Sequence, residues 1–151
     1  VKATFFLMCA ALLCSVAFAK RVEAVPDDFS GGQKYRIALE APQDTKPSQG
    51  IPYQVEYGNV NLAFDTSSKA KPLAWMDKKL IRTIKQPGFQ ALIYQDKAGL
   101  LYFNATIASS AFKGVYIRCG HASGVFQKLT SMAELEGALK VCRSAKILGK
   151  A

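Results

Sequence analysis

The sequence predicts an α+β domain, an antiparallel β-sheet packed against one α-helix. Three observations predict it. Pro87 to Ile107 reads as two β-rich runs, Ala91–Tyr94 and Leu100–Ile107, joined by Gln95-Asp96-Lys97-Ala98-Gly99. That is a hairpin whose terminal glycine supplies a positive φ. Tyr53–Tyr57 and Val60–Phe64 alternate apolar and polar residues around Gly58-Asn59, a second hairpin. Ser131 followed by Glu134 is a capping box, and Met132, Leu135, Leu139 and Cys142 recur at helical spacing toward the core.

The remaining elements follow in order. Val1 to Ala19 has a charged start at Lys2, the apolar run Phe5–Phe18 and a small-x-small ending at Ala17-Phe18-Ala19. It reads as a secretory signal peptide, the apolar run being short for a membrane span. Lys20-Arg21 is either a dibasic processing site or an ordinary charged N-terminus of the mature chain. Pro26, Asp27, Asp28, Ser30, Gly31 and Gly32 make residues 20–33 a flexible arm, leaving 34–151 as a single domain. Lys34–Leu39 alternates and predicts a half-buried strand; Ala41–Pro52, with Pro42, Pro47 and Pro52, predicts a loop. Leu73–Lys85 fits two patterns: a helical stripe of Leu73, Met76, Leu80 and Ile84, or a helical turn at a core Trp75 followed by a strand. We expect the second. Gly114–Cys119 predicts the last strand before the helix, with Arg143 and Lys146 near the helix C-terminus, where cations are favoured.

Four cysteines are present, and Cys9 and Cys14 fall within the signal. Cys119 and Cys142 remain as an even pair in an oxidising compartment, which predicts a disulfide. Two cysteines and the single His121 do not make a zinc site, so no metal is expected.

The net charge is +9 over 151 residues, and it is uneven. Lys20 to Ala63 holds five basic and six acidic residues, whereas Phe64 onward holds fourteen basic and five acidic. Lys69, Lys71, Lys78, Lys79, Arg82 and Lys85 fall within seventeen residues, interrupted by Asp77 alone. They are the candidate RNA-binding surface, by backbone attraction without sequence preference. Tyr94, Tyr102 and Phe103 would stack on bases if exposed, and would be buried on a core-facing strand. The neutral reading of the charge is solubility. Asn104-Ala105-Thr106 is a sequon, making Asn104 a candidate glycosylation site.

Cleavage of RNA by internal transfer needs a base, an acid and a cation on the phosphate. With one histidine, His121 in a glycine-rich loop, and Glu56 on the solvent side of a strand, that set is not assembled. No phosphate-binding glycine loop and no Ser/His/Asp set can be completed.

From Pro52-Tyr53 to Cys119 the chain resembles small secreted fungal ribonucleases of the T1/F1 type, and more closely the ribonuclease-like effectors of powdery mildew fungi. The shared pattern is Tyr53/Tyr57, Pro87-Gly88, Ala91–Tyr94, Gly99-Leu100 and Tyr116–Cys119. The resemblance implies a ribonuclease T1-like fold. The active enzymes carry an arginine where this chain has Gln90-Ala91, and a histidine where it has Ala105-Thr106-Ile107. The mildew effectors open with Tyr-x-Cys before a helix; here that place holds Tyr35-Arg36-Ile37, and Tyr116–Cys119 comes late instead. The resemblance therefore implies a catalytically inactive, secreted virulence effector without cofactor. It would be a monomer with no membrane contact, binding RNA, a host protein or a host immune receptor. An active ribonuclease using Glu56 or His121, and an interaction module of another fold, are the alternatives.

Overall fold

The computed structural model describes residues 20–26, 32–48, 53–120 and 129–151. Residues 1–19, expected to be a signal peptide, residues 27–31 of the expected arm, and His121 lie outside the described residues. Ten strands and one helix follow in the order β1 (Lys20–Ala24), β2 (Tyr35–Ala41), β3 (Lys46–Ser48), β4 (Tyr53–Tyr57), β5 (Val60–Ser67), β6 (Lys79–Gln86), β7 (Phe89–Gln95), β8 (Leu101–Ala108), β9 (Tyr116–Gly120), α1 (Met132–Ser144) and β10 (Lys146–Lys150). A three-stranded sheet runs β1-β2-β10, and a seven-stranded sheet runs β3-β4-β5-β9-β8-β7-β6. Every pairing is antiparallel. The protein is thus a sheet-dominated α+β fold.

Both expected hairpins form. β7 and β8 pair from Phe89↔Ile107 to Gln95↔Leu101, and Gly99 takes φ +85° in the connecting turn. β4 and β5 pair around Gly58-Asn59, with φ +52° at Gly58. A third hairpin joins β6 to β7 through Pro87-Gly88, where proline presets the first turn position and Gly88 supplies φ +73° at the second.

The helix lies between the two sheets, against β2 of the small one and β8 and β5 of the large one. Leu135, Ala138, Leu139, Val141 and Cys142 form its buried face. Met132, expected on that face, is about half exposed at the first position of the helix. Ser131 Oγ accepts the Glu134 N–H at 3.1 Å, and Glu134 reaches back to the Thr130 N–H at 2.7 Å, one residue beyond the expected capping box. Cys119 on β9 and Cys142 on α1 form a disulfide, with Cα atoms 5.8 Å apart, that ties the helix to the middle of the large sheet.

Three expectations are corrected. Lys20–Ala24 is not arm but strand β1: Val22 and Ala24 are buried while Arg21 and Glu23 face out, a period-two pattern beside β2. Within the proline-rich loop, Lys46–Ser48 forms β3 at the sheet edge, a position that tolerates Pro47. No helical turn forms at Trp75; residues 73–78 are irregular and the strand after them is β6. The helix ends at Ser144, with Arg143 in its last turn and Lys146 just beyond it, near the C-terminus as expected. Ala145 turns extended, and β10 then pairs with β2, burying Ile147 against Ile37.

Candidate functional site: the strap and the β6 edge

On strands β7 and β8, alternate residues face the α1 side of the large sheet. Phe89, Ala91 and Ile93 of β7, and Leu101, Phe103, Ala105 and Ile107 of β8, point that way and are buried. The opposite face carries Gln90↔Thr106, Leu92↔Asn104 and Tyr94↔Tyr102. Residues 68–78 cross this second face as a strap. Three polar side chains of the sheet hold the strap backbone: Thr106 Oγ1 donates to Ala70 O at 2.7 Å, Asn104 Nδ2 donates to Leu73 O at 2.9 Å, and the Tyr94 hydroxyl accepts the Trp75 N–H at 3.2 Å. Further along the face, Arg118 Nε donates to Asp65 Oδ1 at 2.6 Å, with both side chains largely covered.

Trp75 is half-buried, not a core residue, and closes the strap. Its ring stands edge-on to Tyr94 and Tyr102, with centroids 5.7 and 5.6 Å away. Lys78 Nζ lies 5.0 Å from the Trp75 ring centroid and 4.9 Å from that of Tyr102, and bonds Asp77 at 3.0 Å. The cation is therefore held by two rings and a carboxylate of its own chain. Asp96, in the β7–β8 turn, accepts from the Ala98 and Leu100 N–H groups at 2.9 Å each and from the Tyr102 hydroxyl at 3.0 Å. Partial desolvation opposes its charge, but these bonds, with Lys78 nearby, outweigh it and hold the carboxyl below the usual aspartate range. The Tyr102 hydroxyl is pushed up, by burial first and then by Asp96.

The six candidate phosphate-binding cations are not brought together. Lys69 and Lys71 project from the strap. Lys78 is held as described. On β6, Lys85 is opposite Gln90 and so shares the strap face, whereas Lys79 and Arg82, opposite Gln95 and Ile93, share the helix face. Arg82 is further committed to Glu136 of α1 at 2.6 Å. The expected stacking rings are mostly covered too: Phe103 lies in the core, Tyr94 is buried under Trp75, and Tyr102 is half-buried. Asn104 is buried with its amide nitrogen on Leu73 O. A glycan on that nitrogen would need room that this packing does not offer, which weighs against the sequon reading in the folded chain.

Glu56 faces solvent and accepts from Asn61 Nδ2 at 3.1 Å across the β4–β5 pair. Tyr57, on the same hairpin, is pushed well above the usual phenol range by burial, with Asp44 adding to it. Among the described residues, no three His, Cys, Asp or Glu side chains converge as a metal site. None of the helices there is long and apolar enough to cross a membrane.

What the residues do assemble is an exposed corner. Leu73 and Met76 of the strap and Leu80 and Ile81 of β6 are exposed within nine consecutive residues, with the exposed Lys79 among them. Periodicity missed this corner because Leu73, Met76 and Leu80 mimic a helical stripe, the pattern of buried residues. No family model, no curated protein and no solved structure matches the chain.

Proposed function

We propose that the chain is a secreted, non-catalytic binding protein of the effector kind implied by its resemblance to the mildew proteins, and that its target is a host protein rather than RNA. One observation carries the choice. Four of the six exposed large hydrophobic side chains among the described residues fall within Leu73–Ile81, Met76 being 97% exposed and Leu73 and Leu80 49% each. Clustered apolar exposure rimmed by charge suits a protein partner. A phosphate-tracking surface instead needs unpaired cations on one face and open rings. The ribonuclease T1-like part of the proposal is an arrangement, one helix across an antiparallel sheet. In this chain the helix follows the seven strands of the large sheet. Glu56, solvent-facing and bonded to Asn61, supports the absence of catalysis.

Labelled single-stranded RNA at two salt concentrations tests the reading. The expected result is intact RNA and no salt-sensitive binding. Binding that falls with salt at a log–log slope of about −0.7 per neutralised phosphate, and is lost when Lys78, Lys79 and Arg82 are changed together to Glu, would make RNA the target. Cleavage lost in Glu56→Gln or His121→Ala would make the protein an enzyme. Export of a reporter fused behind residues 1–19 checks secretion.

A further inference from the structure

The two edges of the seven-stranded sheet are finished differently. β3 is three residues long and contains Pro47, which has no N–H to offer. Short edges and edge prolines deny a template to other strands. β6 is eight residues long, lacks proline, and is exposed everywhere but Ile84. One side of its backbone pairs with β7, and among the described residues no strand pairs with the other, which presents a row of N–H and C=O groups.

We propose that β6 docks an extended acidic segment of a partner protein, which adds to the sheet as an eighth strand. The inference rests on the protein-binding reading above and names its site and partner class. Backbone pairing gives such additions their affinity, and side chains flanking the edge give selectivity. The selectivity here is electrostatic. Between Lys79 and Gln86 there are three cations and no acid. Arg82 already bonds Glu136, so Lys79 and Lys85 are the cations placed to meet incoming carboxylates. They stand on opposite faces of the strand, so an incoming strand bearing Asp or Glu on either face meets one. Leu80 and Ile81 supply apolar contact at the N-terminal end of the edge, where the register slips by one residue between Leu80 and Arg82. Five consecutive paired positions, Arg82 to Gln86, remain regular beyond that bulge. A second copy of this chain is the wrong occupant: β6 against β6 would line up the cations of both copies along one seam.

The probe is a fluorescent peptide of about ten residues, alternating valine with glutamate, titrated by anisotropy into the intact chain. Comparison peptides carry lysine in place of glutamate, or a central proline. The acidic peptide should bind at least about tenfold tighter than either, and β6 amides should gain protection from hydrogen exchange. Lys79→Glu with Lys85→Glu, on an exposed edge and so expected to fold, should reverse the preference toward the lysine peptide. Four results would overturn the proposal: no binding of the acidic peptide, equal binding of the proline peptide, indifference to the double change, or a dimer that competes with the peptide. RNA cleavage or RNA binding would instead bring down the protein-binding reading, whatever the peptide does.

Discussion

Asp96 organises the central hairpin through one carboxylate. It accepts from two backbone N–H groups and the Tyr102 hydroxyl, and Tyr102 in turn helps to hold Lys78 under Trp75. Because the folded carboxyl is held below its usual range, its contribution is present above the unfolded aspartate pKa. It is lost as pH falls through the lower, folded value. Asp96→Asn should keep the side-chain oxygen that accepts from Ala98 and Leu100 but lose the charge. Its melting temperature should therefore lie below that of the parent at neutral pH, and the gap should close on acidification past the carboxylate range. A gap that stays constant with pH would mean that the charge contributes nothing. At residue scale the sequence showed a polar turn ending in Gly99. It could not show that Asp96, Tyr102 and Lys78 meet, because Lys78 arrives on a strap, eighteen residues before Asp96 in the chain.

The elements show where glycine is required and where it is tolerated. Gly120 ends β9 at φ +138°, and a Cβ there would stand 2.4 Å from Phe103 O and 3.2 Å from Asn104 Cα. These atoms are backbone of β8 and cannot swing aside. Gly120→Ala should destabilise the protein by about 1–3 kcal/mol or more, read by denaturant unfolding. Gly137, inside α1, is the opposite case: a Cβ meets nothing within 4 Å, and φ lies outside the left-handed region. Gly137→Ala should stabilise by about 1 kcal/mol through helix propensity and a less disordered unfolded chain. The two glycines look alike in the sequence. One lies against a neighbouring strand and the other on an open helix face.

For the whole molecule, the Cys119–Cys142 bridge joins the only helix among the described residues to the large sheet across a sequence separation of 23. Its loss should cost about 3 kcal/mol in the chain-entropy account, so Cys119→Ala with Cys142→Ala should unfold at clearly lower denaturant. Native material should also be lighter than its reduced form by the two thiol hydrogens; two free thiols would refute the bridge. By itself the sequence determined what depends on neighbours along the chain: the two glycine-turn hairpins, the Ser131 cap, the α+β class and the pairing of the two available cysteines. The tertiary structure decided what depends on distant partners. β1 and β10 lack a flanking turn-and-alternation signal of their own, and exist because each pairs with one edge of β2. The run Leu73–Lys85 satisfies helical and strand patterns alike. It becomes strap and edge because Thr106, Asn104 and Tyr94 bind the strap backbone and β7 offers β6 a ladder. That choice also disperses the six cations: a helix would have set Lys78, Arg82 and Lys85 side by side, whereas a strand sends alternate side chains to opposite faces.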